Sequence, residues 1–456
     1  MRLLFKGGTV VTGKGPRRAD VLVEDEKILD VCRDIPAIGA QVVDVTGMLL
    51  FPGFIDAHTH FDLDVCNTTT ADDFASGSRA ALRGGTTTII DFACPNKGET
   101  LHDGLRLWHE KADGKCACDY GFHMTIDDWN DGIRAELPQM FDEGISSFKM
   151  YMTYPAMMIG DEAMFHALRE MKRLGGIVGV HCENAGMIDA LIAEKKATGA
   201  LSPASHPLCR PAEAEAEAVG RLLKLARVAD VPVMIVHLST AAALREGEAA
   251  RGLGQKVFVE TCPHYLLLDD SRYSLPDFAG ARYVCAPPLR KKLDNERLWK
   301  ALADGEIQTV STDHCSFTLA QKDAGRGDFT KIPGGMPGVE TRGTLLFTYG
   351  VAAGRITAER MADVLAETPA KLYGLFPRKG VLQPGADADI VVYDPRGTSC
   401  ITAADQAANV DYAPYEGTQI AGHIAEVYLR GTCVVREGKI LHDRNGQYLH
   451  RGKCML

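Results

Sequence analysis

The sequence lacks long apolar segments. None of its apolar runs approaches the roughly 20 residues that a helix needs to cross a bilayer. The apolar stretch Leu3–Phe5 near the start is also too short for a signal peptide. We therefore expect a protein with no membrane partner and a cytoplasmic location.

Positive charge is also scarce. The 50 lysines and arginines are outnumbered by 60 aspartates and glutamates, which gives a formal net charge of −10, and the basic residues form no cluster. Such a surface repels phosphates, so we expect no nucleic acid partner. Hydrophobic residues at 46% and charged residues at 24% are typical of a soluble globular protein with a large core.

The cysteines form no recognisable framework. There are 13, an odd number scattered along the chain, and several lie in apolar stretches, such as Cys182, Cys262 and Cys285. Cys116 and Cys118 have the wrong spacing for a zinc knuckle or a redox pair. We expect buried, reduced thiols.

Residues 50–370 alternate short β-branched runs with longer stretches of helical period. This pattern is typical of a parallel α/β fold. We predict helices over Asp161–Leu174, capped by Asp161 and ended by Gly175, and over Glu213–Ala229. Eight such units suggest a (β/α)8 TIM barrel with insertions. The predicted strands are Gly53–His60, Thr86–Phe92, Tyr120–Ile126, Ser147–Tyr151, Ile177–His181, Val233–His237, Val257–Thr261 and Thr309–Asp313.

Both ends of the chain show short alternating strands instead. Neither end alone has enough residues to bury a stable core, so we expect one discontinuous β-sandwich built from both termini. The predicted domains are residues 1–50 and 373–456 for the sandwich and tail, and residues 51–372 for the barrel. The predicted terminal strands are Leu3–Val11, Asp20–Val23, Gln41–Val45, Asp389–Tyr393, Ala425–Leu429 and Thr432–Val435.

Polar side chains recur at the carboxyl ends of the predicted barrel strands, where this fold places its catalytic groups. Any one of them could be a hydrogen-bonded core residue or a helix cap. Because they share one end of one barrel, we expect them to converge on a metal site. They are His58 and His60 on the first strand, Lys149 on the fourth, His181 on the fifth, His237 on the sixth and Asp313 on the eighth.

Lys149 is the unexpected member, since an ammonium has no lone pair to offer a metal. If its amine reacts with carbon dioxide, the resulting carbamate has two oxygens that can bridge two divalent cations. The alternative is a lysine whose ammonium reaches out from a strand end into solvent.

The motifs around these residues resemble those of the cyclic amidohydrolases, and most closely those of the dihydropyrimidinase and D-hydantoinase family, including phenylhydantoinases. The resemblance covers nearly the whole chain. It rests on the motifs DAHTH at 56–60, GGTTT at 84–88, SFKMYMTY at 147–154, HCEN at 181–184, ETCPHYL at 260–266, PPLR at 287–290 and TDHC at 312–315.

The resemblance implies a binuclear hydrolase that opens cyclic amides to N-carbamoyl amino acids. His58, His60 and Asp313 would hold one metal, His181 and His237 the other, and N6-carboxylated Lys149 would bridge them. Zinc is the usual ion, and manganese or cobalt would also suit these ligands. The resemblance further implies a homotetramer.

The resemblance also assigns roles in catalysis and substrate binding. Asp313 would carry a proton to the departing ring nitrogen, and Tyr154 would donate a hydrogen bond to the developing oxyanion. Main-chain groups at Ala286 and Gly334 would read the ring edge, although the family usually has serine and asparagine there. We predict an apolar wall for the exocyclic group, formed by Leu63, Val65, Met157 and Met158.

Several alternatives stay open. Dihydroorotases carry an arginine where this chain has Asp62, whose charge would repel an anionic substrate. That leaves 5-substituted hydantoins, favoured here with an aryl group, dihydropyrimidines, and allantoin as for an allantoinase. The collapsin response mediator proteins share the fold as non-enzymatic assembly proteins that have lost metal ligands, whereas all six ligand positions are filled here.

Overall fold

The computed structural model describes residues 1–456. Its centre is a sheet of eight parallel strands in chain order, each hydrogen-bonded to the next. Beyond the last strand, His314 bridges Thr59 of the first strand, which brings the two edges of the barrel together. The predicted barrel is confirmed. Barrel strands 1 to 8 are Phe54–Thr59, Thr86–Ala93, Asp119–Thr125, Ser147–Tyr151, Ile177–His181, Val233–Ile235, Val257–Thr261 and Thr309–Val310.

Helices alternate with these strands, and those at Phe74–Arg83, Leu101–Ala112 and Asp161–Leu174 are amphipathic and bury one face. The later ones are joined by π-helical turns at Phe347–Ala352 and Asp363–Glu367. The α-helices are Phe74–Arg83, Leu101–Ala112, Asp131–Asp142, Asp161–Leu174, Ala185–Ala197, His206–Cys209, Ala212–Ala229, Ala241–Gly252, Pro263–Leu267, Lys292–Ala303, Leu319–Asp323, Arg342–Leu346, Ala358–Ala362 and Thr368–Leu372.

Barrel strands 6 and 8 end two and three residues earlier than predicted. His237 and Asp313 were expected inside strands 6 and 8, but these strands end at Ile235 and Val310. Both residues have left-handed backbones, with φ of +39° and +49°. A left-handed residue cannot continue a pleated strand, so the chain leaves the sheet before reaching either side chain.

The helix Asp161–Leu174 has the predicted bounds but a different amino-terminal cap. Gly160 is the N-cap and makes no side-chain hydrogen bond, whereas Asp161 is the first helical residue. A carboxylate in the first turn still interacts favourably with the helix dipole. Gly175 ends the helix as predicted, in a left-handed conformation with φ of +78°.

Both termini build the remaining two sheets. One sheet has the order Lys27–Cys32, Asp20–Glu24, Arg2–Lys6, Gln41–Asp44. The other has the order Lys439–Ile440, Thr432–Arg436, Gln419–Leu429, Ile390–Cys400, Leu49–Pro52, Thr9–Thr12, Gly15–Arg18. They share one buried apolar cluster, in which Phe5 packs edge-on against Tyr428 at 4.7 Å between ring centroids. The discontinuous β-sandwich is confirmed, while the domain boundaries at residues 50 and 372 stay a prediction. A two-stranded ribbon, Asp64–Val65 with Thr68–Thr69, lies outside these sheets.

The predicted strand Leu3–Val11 is two strands. Gly7 has φ of +84° and turns the chain, so that Arg2–Lys6 pairs in one sheet and Thr9–Thr12 in the other. The sequence pattern does not reveal this turn, because Val10 and Val11 of the second strand are apolar and buried, like the central residues of the first strand.

A buried ionic cluster joins the barrel to the sandwich. The Lys379 ammonium lies 2.6 Å from a carboxylate oxygen of Asp119, 3.0 Å from Asp387 and 2.7 Å from Asp389. Asp119 begins barrel strand 3, whereas Asp389 directly precedes a sandwich strand. Arg430 also pairs with Asp119.

The C-terminal tail runs beneath the barrel. Leu449 donates its amide to the Tyr120 carbonyl at 2.8 Å, and Gly452 donates to Gly374 at 2.9 Å.

No helix is both long enough and apolar enough to cross a membrane. All 13 cysteines are unpaired, and those expected to be buried are buried, as predicted.

Candidate metal centre

Three side chains from the two edges of the barrel meet at its carboxyl end. Asp313 Oδ1 lies 3.3 Å from His58 Nε2 and 3.1 Å from His60 Nε2. The ligand atoms of these three residues lie within 4.8 Å of one another. His58 belongs to strand 1, and His60 follows its end. Two nitrogens and a carboxylate oxygen at this spacing form a partial coordination shell for a divalent cation.

Lys149 lies beside this group on strand 4. Its side chain is buried, and Nζ is 3.4 Å from His58 Nε2. Burial lowers the pKa of Lys149 to about 8, although Asp313 and Glu260 nearby oppose the shift. The neutral amine is the form that can attack carbon dioxide, and the lowered pKa makes this form more accessible than in an exposed lysine, at roughly a tenth of the population at pH 7.

His181 and His237 form a second pair at the same end of the barrel. His181 ends strand 5, and His237 follows strand 6. His181 Nδ1 lies 3.0 Å from His237 Nε2, and the His237 ring centroid is 5.3 Å from that of His58. The left-handed turn at His237 directs the chain out of strand 6 at this point. The six predicted ligands are therefore gathered at one place.

Two buried carboxylates orient the histidines from behind. Glu260 lies 2.6 Å from His58 Nδ1, and Glu183 lies 2.7 Å from His181 Nε2. Each carboxylate accepts a hydrogen bond from one ring N–H and leaves the other nitrogen facing the centre. Burial opposes the ionisation of Glu183, yet Arg210 and His181 hold its pKa at about 2. Sequence reasoning included both glutamates in motifs but gave them no role.

The protonation of the histidines suits metal binding. Burial lowers the pKa values of His58, His181 and His237, so each ring is neutral and offers one lone pair. His60 and His237 also keep buried Nδ1 atoms with no hydrogen-bond partner. Several neutral imidazoles around one carboxylate and a buried amine form a donor set suited to zinc or a similar cation. The residues present fit two metal ions.

A cavity of about 400 Å³ opens over this centre. All six predicted ligands line it, and so do the predicted substrate-binding residues Leu63, Tyr154, Met157, Ala286 and Gly334. Other lining residues that the sequence did not indicate include His206, Arg210, Cys315, Phe329 and Ile332. More than half of the lining residues are hydrophobic, 14 of 25, which suits a ligand with an apolar group.

Two residues of the sequence-based interpretation lie elsewhere. Met158 was expected in the apolar wall, but it is 37% exposed and does not line the cavity, whereas Val65 does. Asp62 also lies outside the cavity wall, on a left-handed turn with φ of +50°. Its main-chain carbonyl accepts a hydrogen bond from Lys111. Asp62 does not line the cavity, and its expected repulsion of an anionic substrate stays a prediction.

Tyr154 lies between the second histidine pair and Arg210. Its ring centroid is 5.1 Å from that of His181 and 5.5 Å from the Arg210 guanidinium carbon. Tyr154 adopts φ of +70°, a conformation that non-glycine residues take at a cost. Burial raises its pKa, so the hydroxyl stays protonated and can donate a hydrogen bond.

Comparisons with known proteins show the family to which this chain belongs. Residues 49–434 match the Amidohydrolase family. The chain belongs to the amidohydrolase family. It is 45% identical to a D-hydantoinase of Geobacillus stearothermophilus over 99% of this chain and 97% of the relative. It is 42% identical to a D-phenylhydantoinase of Escherichia coli (strain SE11), over 99% and 98%.

Solved structures give the same picture. A crystal structure of dihydropyrimidinase from Brevibacillus agri NCHU1002 has a TM-score of 0.98 to this amidohydrolase at 44% identity, covering 99% of both chains. The resemblance to the dihydropyrimidinase and D-hydantoinase group that the motifs indicated is confirmed. Membership of the amidohydrolase family implies a binuclear metal site, in agreement with the His58, His60 and Asp313 cluster.

Proposed function

We propose that this amidohydrolase opens the ring of 5-substituted hydantoins, preferentially aryl-substituted ones, or of dihydropyrimidines, to give N-carbamoyl amino acids. The observation that carries the proposal is the convergence of six ligand side chains beneath a largely apolar cavity of about 400 Å³. The full-length similarity to proteins named D-hydantoinase and dihydropyrimidinase supports it.

The proposed metal site has two parts. His58, His60 and Asp313 would hold one ion, His181 and His237 the other, and carboxylated Lys149 would join them. Zinc fits these nitrogen and oxygen donors, and manganese or cobalt would too. When bound, two such cations supply a nucleophilic water at neutral pH and polarise an amide carbonyl.

Asp313 is the proposed proton carrier. Its Oδ1 lies 3.3 Å from His58 Nε2 and 3.1 Å from His60 Nε2, and the residue lines the cavity. A carboxylate there can take the proton of the attacking water and return it to the departing ring nitrogen. Tyr154 would donate its hydroxyl proton in a hydrogen bond to the oxygen that gains negative charge.

Substrate recognition is assigned to the cavity walls. Leu63 and Met157 would contact the exocyclic group, since both lie on the loops that follow strands 1 and 4. Ala286 and Gly334 would present main-chain groups to the amide edge of the ring. Neither residue has a polar side chain, so recognition on this edge would depend on backbone position alone.

The proposal also includes a cellular location and an oligomeric state. A cytoplasmic location is supported by 13 cysteines without a disulfide, since thiols stay reduced there. A homotetramer is proposed from the family resemblance.

The decisive experiment is turnover of the purified protein on 5-phenylhydantoin, dihydrouracil and allantoin, combined with elemental analysis. We expect about two metal ions per chain, and ring opening fastest with the aryl hydantoin. Preference for allantoin would identify an allantoinase instead. A metal-free protein without turnover, after expression in metal-supplemented medium, would favour a non-catalytic assembly protein.

A further inference from the structure

Lys322 is a buried cation that the proposed chemistry does not use. It lies on the short helix Leu319–Asp323, and its side chain is 1% exposed. Its Nζ donates to the carbonyls of Val284 at 2.9 Å, Pro333 at 2.6 Å and Gly335 at 2.7 Å. An ammonium has three donor hydrogens, so all of them are used.

No carboxylate forms a salt bridge with this ammonium. Its hydrogen-bond partners are three carbonyl oxygens, and the centroid of the Phe317 ring lies 5.4 Å from Nζ. Burial lowers the pKa of Lys322 to about 8, which still leaves it mostly protonated at pH 7. Burying a charge is costly unless it is well hydrogen-bonded. The ammonium therefore needs these carbonyls close to it, and in turn it holds them in place.

The three carbonyls belong to two segments that line the cavity. Val284 and Ala286 line it from one segment, and Gly334 and Gly335 from the other. The segments also contact each other directly, because the Gly335 amide donates to the Val284 carbonyl at 2.9 Å. Lys322 therefore holds the two segments together, and Pro333 directly precedes Gly334.

The side chains of Ala286 and Gly334 cannot fix the geometry of these segments. Ala286 and Gly334 have no polar side chain, and a Cβ built on Gly334 would meet no atom within 4 Å. At Gly335 the backbone is tightly confined, since a Cβ there would lie 2.4 Å from the Cys315 carbonyl oxygen. The amide and carbonyl groups of this wall are therefore oriented by contacts on the side of the segments that faces away from the cavity.

We propose that Lys322 is a positioning residue for substrate binding: its ammonium fixes the two main-chain segments, around Ala286 and Gly334, that read the amide edge of the cyclic substrate. This inference rests on the proposed function. It adds a buried cation that acts through the backbone and touches neither the substrate nor the metal ligands.

The test compares Lys322→Met, which keeps the stem length and loses the donors, with the wild type. We expect KM for the hydantoin to rise on the order of tenfold, since misplaced binding groups weaken binding by about that factor per lost contact. The value of kcat should change by less than about threefold, and the metal content should equal that of the wild type. Unchanged KM, or loss of metal and kcat together, would overturn the role.

Two further variants separate positioning from general destabilisation. Lys322→Gln keeps two donor hydrogens, so its KM should lie between those of the wild type and Lys322→Met; it also replaces Lys322→Met if that variant does not fold. Leu382→Ala removes a buried side chain from the sandwich cluster, far from the cavity. It should lower the melting temperature and leave KM unchanged.

Amide hydrogen exchange gives a readout that needs no substrate. In Lys322→Met, peptides covering residues 284–289 and 332–337 should exchange faster than in the wild type, while barrel strands 1 to 5 should not change. Unchanged exchange in both peptides would overturn the proposal whatever the activity. If the wild type opens none of the rings tested, the proposed function fails, and exchange still decides whether Lys322 orders the two segments.

Discussion

Lys149 has no role in the metal site unless its amine is modified, because an ammonium would repel cations. The side chain is buried, and its Nζ lies 3.4 Å from His58 Nε2, beside the proposed metal site. Lys149→Ala should therefore lose bound metal and turnover together, which elemental analysis and a ring-opening assay would measure. Lys172→Ala, at a half-exposed lysine of an outer helix, is the control and should keep both. A Lys149 variant with two ions and full activity would refute the bridging carbamate.

Asp313 is expected to act through its charge and not only as a ligand. Asp313→Asn keeps the shape and an oxygen but cannot accept the proton, so kcat should fall by about 10²–10⁴, the usual range for general acid–base groups. Circular dichroism should show an unchanged fold. Asp323→Asn, which alters an exposed ion pair with Arg326, serves as control and should keep the wild-type kcat. An Asp313 variant with undiminished kcat would remove it as proton carrier.

The sequence predicted the site residues whose roles follow from a local pattern and missed those whose roles depend on distant contacts. His58 and His60 alternate on a strand, and the strand-end rule brought Lys149 and His181 into the same group. Glu183 and Glu260 were missed as orienting groups, because a buried carboxylate next to a histidine looks like any polar residue in a motif. Lys322 gave no signal, since its three partners are main-chain carbonyls 11, 13 and 38 residues away, and a sequence motif does not reveal such contacts.

At the level of elements, periodicity predicted where strands exist better than where they stop. His237 and Asp313 were placed inside strands because apolar runs lead up to them. Only the left-handed backbone, with φ of +39° and +49°, ends those strands early. A Gly7 turn likewise divides a predicted strand between two sheets. Such turns depend on contacts between elements that a local pattern does not contain.

The packing of the tail under the barrel can be tested at Gly374. This residue has φ of +70°, and a Cβ there would lie 1.9 Å from the Gly452 carbonyl oxygen. Gly374→Ala should lower the free energy of unfolding by the left-handed cost of about 1 kcal/mol plus about 1–3 kcal/mol of overlap. Urea unfolding would measure the change.

Gly354 provides the matched control. It has the same φ of +70°, but a Cβ there would meet nothing within 4 Å. Gly354→Ala should therefore show only the backbone cost of about 1 kcal/mol. Equal destabilisation by the two substitutions would mean that the tail does not press on Gly374 in solution.

For the whole molecule, the ionic cluster between barrel and sandwich should make stability depend on acid. Burial opposes the ionisation of Asp387, but Lys379 and Lys27 hold its pKa at about 2, below the usual value of about 3.9. A carboxylate with a lowered folded pKa stabilises the protein fully above its unfolded pKa. That contribution is lost as the pH falls through the folded pKa.

The measurement is the free energy of unfolding of the wild type and Asp387→Asn as a function of pH. The difference between them should be constant above about pH 5 and shrink as the pH falls towards 2. Asp25→Asn, at an exposed pair with the N-terminus, is the control and should differ little from the wild type at any pH. A pH-independent difference for Asp387→Asn would contradict the assignment.

The two halves of the larger sandwich sheet are synthesised at different times. Strand Leu49–Pro52 has Ile390–Cys400 as its neighbour, so one half of this sheet leaves the ribosome more than three hundred residues before the other. At about 5–20 residues per second, the early half waits for roughly 15–70 seconds with an open edge. During that interval the open edge can pair with the matching strand of another nascent chain, which is a route to domain swapping.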